Sequence, residues 1–363
     1  MQFVFVRYLR VYSSMFDFYI IKILLLTASA FIFAILWTPF LTHYLYKYNL
    51  GKKIRANGST PVYTKLHAHK DGTPTMGGIL IWLTVLIFAL VFYYLPKIFS
   101  ADIFNYLNFL SRKETLLPLG ALVATALIGL VDDWLDVRGK GILGGGGLKA
   151  KHRLIIYSLI AAVGAWWFYF KLDWDVIHVP FLGDYQLGWP YILIFIFVLV
   201  ATAFSVNETD GLDGLAGGVL LTSFAAFSVM AFSTGKYDLA AFCGVIVGAL
   251  LAFLWFNINP ARFYMGDTGA MSLGITLGVI AMLTNAALIL PIIGLVFVVE
   301  SLSVIIQQLS KKIRHKKIFI SSPIHHHLEA IGWPEPKIVM RFWVIAGVSA
   351  AIGLVVFLLD KTM

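Results

Sequence analysis

Apolar runs long enough to cross a lipid bilayer recur along the whole of this 363-residue chain. A membrane-spanning helix needs about 20 consecutive apolar residues, and the segments between the runs are too short for a separate soluble domain. Hydrophobic residues make up 60% of the sequence and charged residues only 13%, far outside the composition of soluble domains. The sequence therefore predicts an all-α, polytopic integral membrane protein, with residues 1–363 forming a single domain of about ten helices.

The expected spans are roughly 18–40, 78–95, 115–131, 153–170, 189–206, 214–232, 238–256, 270–286, 288–309 and 339–359. The connection 171–188 is long enough for a small external hairpin, with a turn at Gly183-Asp184. The single cysteine, Cys243, lies in an apolar run, which excludes disulfides within the chain and cysteine metal clusters.

Lysine and arginine are concentrated in alternate loops. The set that includes Lys52, Lys149 and Lys311 holds most of them, whereas the other set holds few, such as Lys97 and Lys171. Since the side richer in these residues stays in the cytoplasm, we expect the basic loops to be cytoplasmic and both termini to be external. The net charge of +9 fits loops that face anionic membrane lipid, and no nucleic acid is needed to explain it.

Every polar cluster falls in the basic set of loops, which makes the chain a candidate enzyme. Lys70 and Thr75 precede a span. Free amides at such a helix start attract an anion, although a capped helix entering the membrane explains the same residues. Asp132-Asp133 ends the third expected span, and carboxylates at that depth usually serve an ion or a reaction. Because neighbours on a helix point about 100° apart, we expect one to face a metal or nucleophile and the other a structural partner.

A third cluster lies between two spans that are nearly free of charge. Asn207, Asp210 and Asp213 fall three residues apart and would share one face of a helix. An amide and two carboxylates suit magnesium or the edges of a base and ribose. A polar turn with two glycines is the simpler alternative.

Two weaker signals lie in neighbouring basic loops. Asn257 is followed by Tyr264, which could stack on a base, and by Asp267, a hard oxygen donor between two glycines. A turn at a helix entrance explains the same pattern. Lys151 follows the glycines at 144–147 and could meet phosphate, although such lysines more often anchor lipid headgroups.

The most specific string is Pro323-Ile324-His325-His326-His327-Leu328-Glu329, which follows the basic run 311–317. Three imidazoles beside a basic stretch can donate hydrogen bonds to a pyrophosphate near neutral pH. Consecutive histidines converge poorly on one ion, which disfavours a zinc site. A solvated loop is the other alternative.

In order and spacing, these strings resemble the phospho-N-acetylmuramoyl-pentapeptide-transferases. The matching positions are 73–78, 132–133, 207, 209–214, 255–257, 265–267, 323–329 and 333–337. The histidine string is the most specific, because related enzymes that use other sugar nucleotides differ there. The sequence departs from the usual family pattern at Glu208, which is commonly apolar, and at Ala270, which is commonly serine.

The resemblance implies a bacterial cytoplasmic (inner) membrane enzyme with its active site facing the cytoplasm. It implies magnesium, and transfer of phospho-MurNAc-pentapeptide from UDP-MurNAc-pentapeptide to undecaprenyl phosphate, with UMP released and lipid I formed for peptidoglycan biosynthesis. A homodimer is a further expectation. Asp267 matches the magnesium ligand. The implied catalytic residues are Asp132, Asp133, Asp267, Lys70, His325 and His326. The implied substrate-binding residues are Thr75, Lys151, Asn207, Asp210, Asp213, Asn257, Tyr264 and His327.

Attack of a lipid phosphate on a pyrophosphate gathers negative charge, which a metal ion and fixed cations must offset. We expect Asp267 and another acid to hold the magnesium, and Asp132 or Asp133 to accept the proton of the lipid phosphate. A covalent route, with an aspartate attacking first, is the alternative mechanism. The alternative functions are a related GlcNAc-1-phosphate transferase and, more remotely, an ion-coupled transporter. A transporter predicts acids at mid-span, and here Glu300 is the exception that lies deep in a span.

Overall fold

The computed structural model describes residues 2–51, 72–99, 101–139, 148 and 150–362. Two short strands, β1 (Val176–Val179) and β2 (Gly183–Gln186), form an antiparallel pair, and the other elements that the structure describes are helices. The helices of the described part are α1 (Gln2–Lys47), α2 (Ile79–Ile98), α3 (Asp102–Leu107), α4 (Leu116–Arg138), α5 (Ala150–Lys171), α6 (Pro190–Thr209), α7 (Leu215–Ser233), α8 (Tyr237–Asn257), α9 (Gly266–Leu283), α10 (Leu290–Ile293), α11 (Leu295–Arg314), α12 (Ile324–Ala330) and α13 (Glu335–Thr362).

Within the described residues, nine helices are long and apolar enough to cross a membrane. These are α1 from Phe16 onward, α2, the six helices α4 to α9, and α13. They match nine of the expected spans, which confirms the polytopic all-α fold. The remaining expected span, 288–309, is divided into α10 and α11, because the backbone at Gly294 leaves the helical conformation with a ψ of 32°.

Helix α11 has its polar side turned inward and its apolar side outward. Glu300 and Gln307 are buried, whereas Leu302 and Ile313 are exposed. A soluble protein would reverse this arrangement, but lipid is an apolar solvent, so polar side chains in a membrane face the interior of the bundle. The outward apolar side of α11 therefore agrees with a location against lipid.

Helix α9 lies at the centre of the bundle, with 94% of its most apolar segment buried. Gly274 and Gly278 let it approach α6 closely. A Cβ at Gly274 would lie 2.7 Å from Ala203 Cα, and one at Gly278 would lie 3.2 Å from Leu199 Cα. Small residues four apart allow such backbone contact between membrane helices. This packing fixes the position of the first turn of α9, which carries Asp267.

The hairpin expected in 171–188 is present and joins α5 to α6. Its turn lies at 180–182 rather than at Gly183-Asp184, because Phe181 adopts a positive φ of 65° and completes the reversal before β2 begins. The imidazole of His178 bonds Asp184 through Nδ1 and Asp360 of α13 through Nε2, both at 2.6 Å. Burial lowers the pKa of His178, but the hydrogen bonds to both aspartates outweigh it, so the pKa is raised above 6.5.

Candidate active site

Three aspartates meet at the end of the bundle where α4 and α6 finish and α5 and α9 begin. Asp132 and Asp133 lie near the end of α4, and Asp267 is the second residue of α9. All three side chains are buried, with residue exposures of 0%, 2% and 6%. The backbone amide of Asp267 donates a hydrogen bond to the Asp133 carboxylate across a sequence separation of 134 residues. The fold thus brings segments that are remote in sequence into one acidic cluster.

Arg153, in the first turn of α5, is the centre of this cluster. Its Nε donates to Asp132 Oδ2 at 2.9 Å, its Nη1 to Asn207 Oδ1 at 3.0 Å, and its Nη2 to Asp267 Oδ2 at 2.6 Å. Asn207 Nδ2 also donates to Asp267 Oδ1 at 2.7 Å. Oxygen atoms from α4, α6 and α9 therefore surround a single cation. Such pairing is needed because an isolated buried carboxylate is strongly destabilising.

Asp133 has different partners from its neighbour. Its Oδ1 accepts a hydrogen bond from the backbone N–H of Asp267 at 3.0 Å, and its Oδ2 accepts one from Thr268 at 2.9 Å. These amides belong to the first turn of α9 and have no acceptor within their own helix. A carboxylate at a helix N-terminus also interacts favourably with the helix dipole. Asp133 therefore caps α9, while Asp132 faces Arg153.

Gly266 is the residue that lets the Asp133 carboxylate come this close. It has a positive φ of 72°. A Cβ at this position would lie 2.6 Å from Asp133 Oδ2 and 2.7 Å from Thr75 Oγ1. A side chain at 266 would therefore displace the cap of α9.

Tyr157 is a further residue of this site, and it belongs to none of the polar clusters that the sequence marks. It lies four positions after Arg153 and shares its face of α5. The side chain is buried, and its hydroxyl has no hydrogen-bond partner among the described residues. Asp267 and Asp132 are near enough to interact with it electrostatically. A buried hydroxyl without a partner is rare in proteins, and here it lies beside the acidic cluster.

The loop before α2 is attached to the loop before α9. Gly77 N donates to Tyr264 O at 2.7 Å, and Tyr264 N donates to Pro74 O at 2.8 Å. Thr75 Oγ1 lies 3.4 Å from Asp133 Oδ1 in hydrogen-bonding geometry. Two of the expected substrate-binding residues, Thr75 and Tyr264, are thus next to the acidic cluster. Lys70 lies outside the described residues.

Asp213 and Asn257 tie the α6–α7 loop to the α8–α9 loop. Asp213 Oδ2 accepts hydrogen bonds from Asn259 Nδ2 and from the Ala261 amide, both at 3.1 Å. Asn257 Oδ1 accepts a hydrogen bond from the amide of Gly214 at 2.9 Å, and its Nδ2 donates to the carbonyl of Phe263 in the α8–α9 loop at 2.8 Å. Asp210, in the same α6–α7 loop, is half-buried. These hydrogen bonds hold together the two loops that lead into α7 and α9.

The three consecutive histidines have three different partners. His325 is fully buried, and its Nδ1 lies 2.9 Å from Oε2 of Glu300, which is also fully buried. His326 Nδ1 lies 2.7 Å from Oε2 of Glu329, whereas His327 Nδ1 accepts a hydrogen bond from the backbone amide of Ile320 at 3.3 Å. The His325 and His326 ring centres lie 4.1 Å apart, but their Nδ1 atoms bond different carboxylates. Among the described residues, no group of three His, Cys, Asp or Glu side chains is arranged to hold a metal ion.

The His325 ring packs against the backbone of the α6–α7 loop. A Cβ at Gly211 would lie 2.2 Å from His325 Nε2, so the ring packs directly on the backbone of that loop. The Nε2 atom and Glu300 Oε1 have no hydrogen-bond partner in the described part of the chain. Glu300, the one acid that the sequence analysis placed deep in a span without a role, is thus the partner of the first histidine.

The basic residue that reaches the acidic cluster is Arg153 rather than Lys151, the residue expected from the sequence. Lys151 is exposed, and the structure shows no hydrogen bond or ion pair from it to a described residue. The position of Arg153 in the sequence could have identified it, because Arg153 lies further inside the span than Lys151. An unpaired cation is costly at that depth, so a carboxylate partner is expected.

The fold and this cluster define a polytopic membrane protein with a buried carboxylate–arginine centre at one end of its helix bundle. The sequence profile described as Glycosyl transferase family 4 matches residues 115–285, which include α4 to α9 and the whole Arg153 cluster. A second profile, described as Phospho-N-acetylmuramoyl-pentapeptide-transferase signature 1, matches residues 70–81.

Relatives named phospho-N-acetylmuramoyl-pentapeptide-transferase match nearly the full chain. The Bacillus subtilis (strain 168) protein is 38% identical over 334 residues, which cover 92% of this chain and 97% of that protein. The Geobacillus sp. (strain WCH70) protein is 38% identical, with coverage of 90% and 94%. The Chloroflexus aggregans protein is 37% identical, with coverage of 92% and 89%. The chain belongs to the phospho-N-acetylmuramoyl-pentapeptide-transferase family, which confirms the resemblance.

Proposed function

We propose that this chain transfers phospho-MurNAc-pentapeptide from UDP-MurNAc-pentapeptide to undecaprenyl phosphate, forming lipid I and releasing UMP. Membership of the family supports this reaction and the class of both substrates. The observation that carries the chemistry is the set of oxygen atoms that Asp132, Asn207 and Asp267 direct at one cation. A reaction between two phosphorylated substrates needs such fixed positive charge.

Magnesium is the cofactor that we propose, and the donor set fits it. Mg²⁺ prefers oxygen ligands, usually one or two carboxylates together with water and substrate phosphate. Asp267 supplies carboxylate oxygens and Asn207 an amide oxygen, and the hydroxyl of Tyr157, which has no hydrogen-bond partner among the described residues, lies beside them. When bound, the ion offsets the negative charge of the pyrophosphate.

In the proposed reaction, an oxygen of the lipid phosphate forms a bond to the sugar-linked phosphorus of the nucleotide. The bond from that phosphorus to the bridging oxygen breaks, and UMP leaves with the electron pair. Asp132 accepts the proton of the lipid phosphate. Each oxygen of both carboxylates accepts a hydrogen bond, Asp132 from the Leu148 amide and Arg153 and Asp133 from two amides of α9. Protonation of Asp133 would weaken the cap of α9, so Asp133 is less suited to this role. Arg153 holds the phosphates through its guanidinium.

The site faces the cytoplasm in this proposal. The basic loops lie at the same end of the helices as Asp132 and Asp267, and such loops stay on the cytoplasmic side. The UDP-linked substrate would then reach the site from the cytoplasm. The homodimer expected from the resemblance is a separate proposal, which the mass of the purified protein in detergent tests.

Release of UMP by the purified, reconstituted protein tests the function. We expect turnover with UDP-MurNAc-pentapeptide, undecaprenyl phosphate and magnesium, and loss of at least 100-fold in Asp267→Asn, on the order of the loss when a charge-stabilising group is removed. Asp173→Asn, which changes an exposed acid at the opposite end of the bundle, is the matched control. Full activity in Asp267→Asn would contradict the metal assignment, and equal turnover with UDP-GlcNAc would contradict the substrate.

The direct transfer has its own test. Wild-type protein is incubated with the nucleotide substrate and magnesium but without undecaprenyl phosphate, and its mass is then measured. We expect the mass of the unmodified chain, because attack by the lipid phosphate is the first step. A phospho-sugar attached to the protein would contradict direct transfer and support the covalent route.

A further inference from the structure

A cavity of about 310 Å³ lies at the end of α1 and is separate from the acidic cluster. We call it the α1 pocket. Its volume is at the lower end of the range for ligand pockets. The residues that line it are Pro39, Thr42, His43, Tyr46, Lys47 and Arg262. Among the described residues, the lining therefore has two permanent cations and an imidazole but no carboxylate.

The two cations of the α1 pocket have no acidic partner among the described residues. The Lys47 ammonium lies 5.9 Å from the centre of the Tyr48 ring, and the Arg262 guanidinium lies 5.7 Å from the Phe256 ring. Both residues are exposed. Two cations with no carboxylate between them in the described part of the chain favour an anion as the ligand.

The depth of the pocket matches the boundary between lipid headgroups and acyl chains. Lys47 is the last residue of the α1 span, and Pro39 lies eight residues earlier, about 12 Å along the helix axis. An aromatic stripe of Phe40, Tyr44 and Tyr48 continues beside the pocket. Its ring centres are 4.7 and 6.1 Å apart, and all three residues are exposed. Aromatic residues with this spacing suit the membrane interface.

The pocket is attached to the loop that leads into the acidic cluster. Tyr46 Oη donates to the carbonyl of Arg262 at 2.9 Å, and the Arg262 amide donates to the Phe256 carbonyl at 2.8 Å. Two residues further on, Tyr264 pairs with Pro74, and α9 with Asp267 follows. A ligand held by Arg262 would therefore restrain this loop.

From these observations, we propose that the α1 pocket binds the headgroup of an anionic glycerophospholipid from the leaflet on the active-site side. The phosphodiester lies between Lys47 and Arg262, and the acyl chains run along the aromatic stripe. This lipid is distinct from the lipid substrate, whose phosphate must reach the acidic cluster. Its binding orders the α8–α9 loop and raises the rate of the transfer reaction.

Binding of a fluorescent phosphatidylglycerol to the full-length protein in neutral detergent tests the proposal. Each basic residue near a membrane surface contributes about fivefold to the affinity for anionic lipid. We expect Arg262→Gln to weaken binding by about fivefold, and the double variant Lys47→Gln/Arg262→Gln by about 25-fold. Arg138→Gln removes an exposed cation at the end of α4 and is the matched control, with an expected change below about twofold.

Competition separates the possible anions. Unlabelled phosphatidylglycerol should displace the probe, whereas phosphatidylcholine and glycerol 3-phosphate should not, because one lacks the net charge and the other the acyl chains. Displacement by undecaprenyl phosphate at equal or lower concentration would overturn the proposal, since the pocket would then belong to the lipid substrate. Unchanged affinity in the double variant would overturn it as well.

Activity in bilayers provides a second readout. Phosphatidylglycerol added to phosphatidylcholine nanodiscs should accelerate UMP release by the wild-type protein. The double variant should keep its activity in pure phosphatidylcholine and lose the acceleration. Loss of acceleration with intact basal activity separates this proposal from the proposed catalytic function. Equal acceleration of variant and wild type would refute the link between the pocket and the site.

Discussion

Substitution of Asp133 is expected to lower the stability of the protein more than substitution of its neighbour Asp132. The Asp133 carboxylate accepts the amides of Asp267 and Thr268, which have no other acceptor in the first turn of α9. A hydrogen bond to a charged group contributes about 1.5–3 kcal/mol, and loss of a helix cap costs about 1 kcal/mol. Allowing for partial access of water, Asp133→Ala should lower the free energy of unfolding by about 2–4 kcal/mol.

A graded series makes this prediction specific. Asp133→Asn retains one acceptor oxygen and should lose about half of that free energy. Asp132→Asn should lose less than about 1 kcal/mol, because its amide oxygen can still accept from the Leu148 amide, Arg153 keeps Asp267 and Asn207 as partners, and one buried charge is removed. Unfolding in mixed SDS and neutral detergent micelles, followed by circular dichroism, measures the differences. Equal destabilisation by Asp132→Asn and Asp133→Asn would refute the capping argument.

Two further predictions concern the buried histidine and the hairpin. Glu300→Leu should lower the free energy of unfolding by about 1–3 kcal/mol, because it leaves His325 Nδ1 buried without a partner, whereas Glu300→Gln should cost less than half of that; equal losses in the same unfolding assay would contradict the pairing. The raised pKa of His178 stabilises the docked hairpin below pH 6.5, and this contribution should disappear as the pH rises through the raised pKa. The protection factors of the hairpin amides, which correct for the intrinsic pH dependence of hydrogen exchange, should therefore fall in the wild type as the pH rises through the raised pKa, whereas those of His178→Gln should stay constant.

Hydropathy predicts the spans of this protein well because each crossing helix satisfies its own backbone hydrogen bonds in lipid. The expected span 189–206 corresponds to α6, and 238–256 corresponds to α8. The alternation of spans also places Asp132 and Asp267 at the same membrane face. Their contact through Arg153 could not be derived from hydropathy, because it depends on how α4, α5 and α9 are rotated and packed.

The roles of individual polar residues needed the tertiary structure for the same reason. The sequence marks His325 as part of a specific string, but its burial against Gly211 and its pairing with Glu300 depend on how α11 and α12 approach the α6–α7 loop. The separation of Asp132 from Asp133 was expected from helix geometry. The structural partner of Asp133 is the first turn of α9, which lies 134 residues further along the chain. No sequence pattern near Asp133 indicates this partner.

The position of the acidic cluster follows from the cost of helix ends in a membrane. Where α9 begins, its first amides lack acceptors, and an unsatisfied amide in a lipid-facing bundle costs several kcal/mol. Asp133 supplies acceptors from α4, and Gly129 lets α4 approach, since a Cβ there would lie 2.5 Å from the Asp267 carbonyl oxygen. The same contact fixes the backbone of Asp267 and so directs its carboxylate toward Arg153. The Asp133 carboxylate therefore does two things: it accepts the free amides at the start of α9, and it orients Asp267, the proposed metal ligand. Replacement of Asp133 should for this reason also displace Asp267.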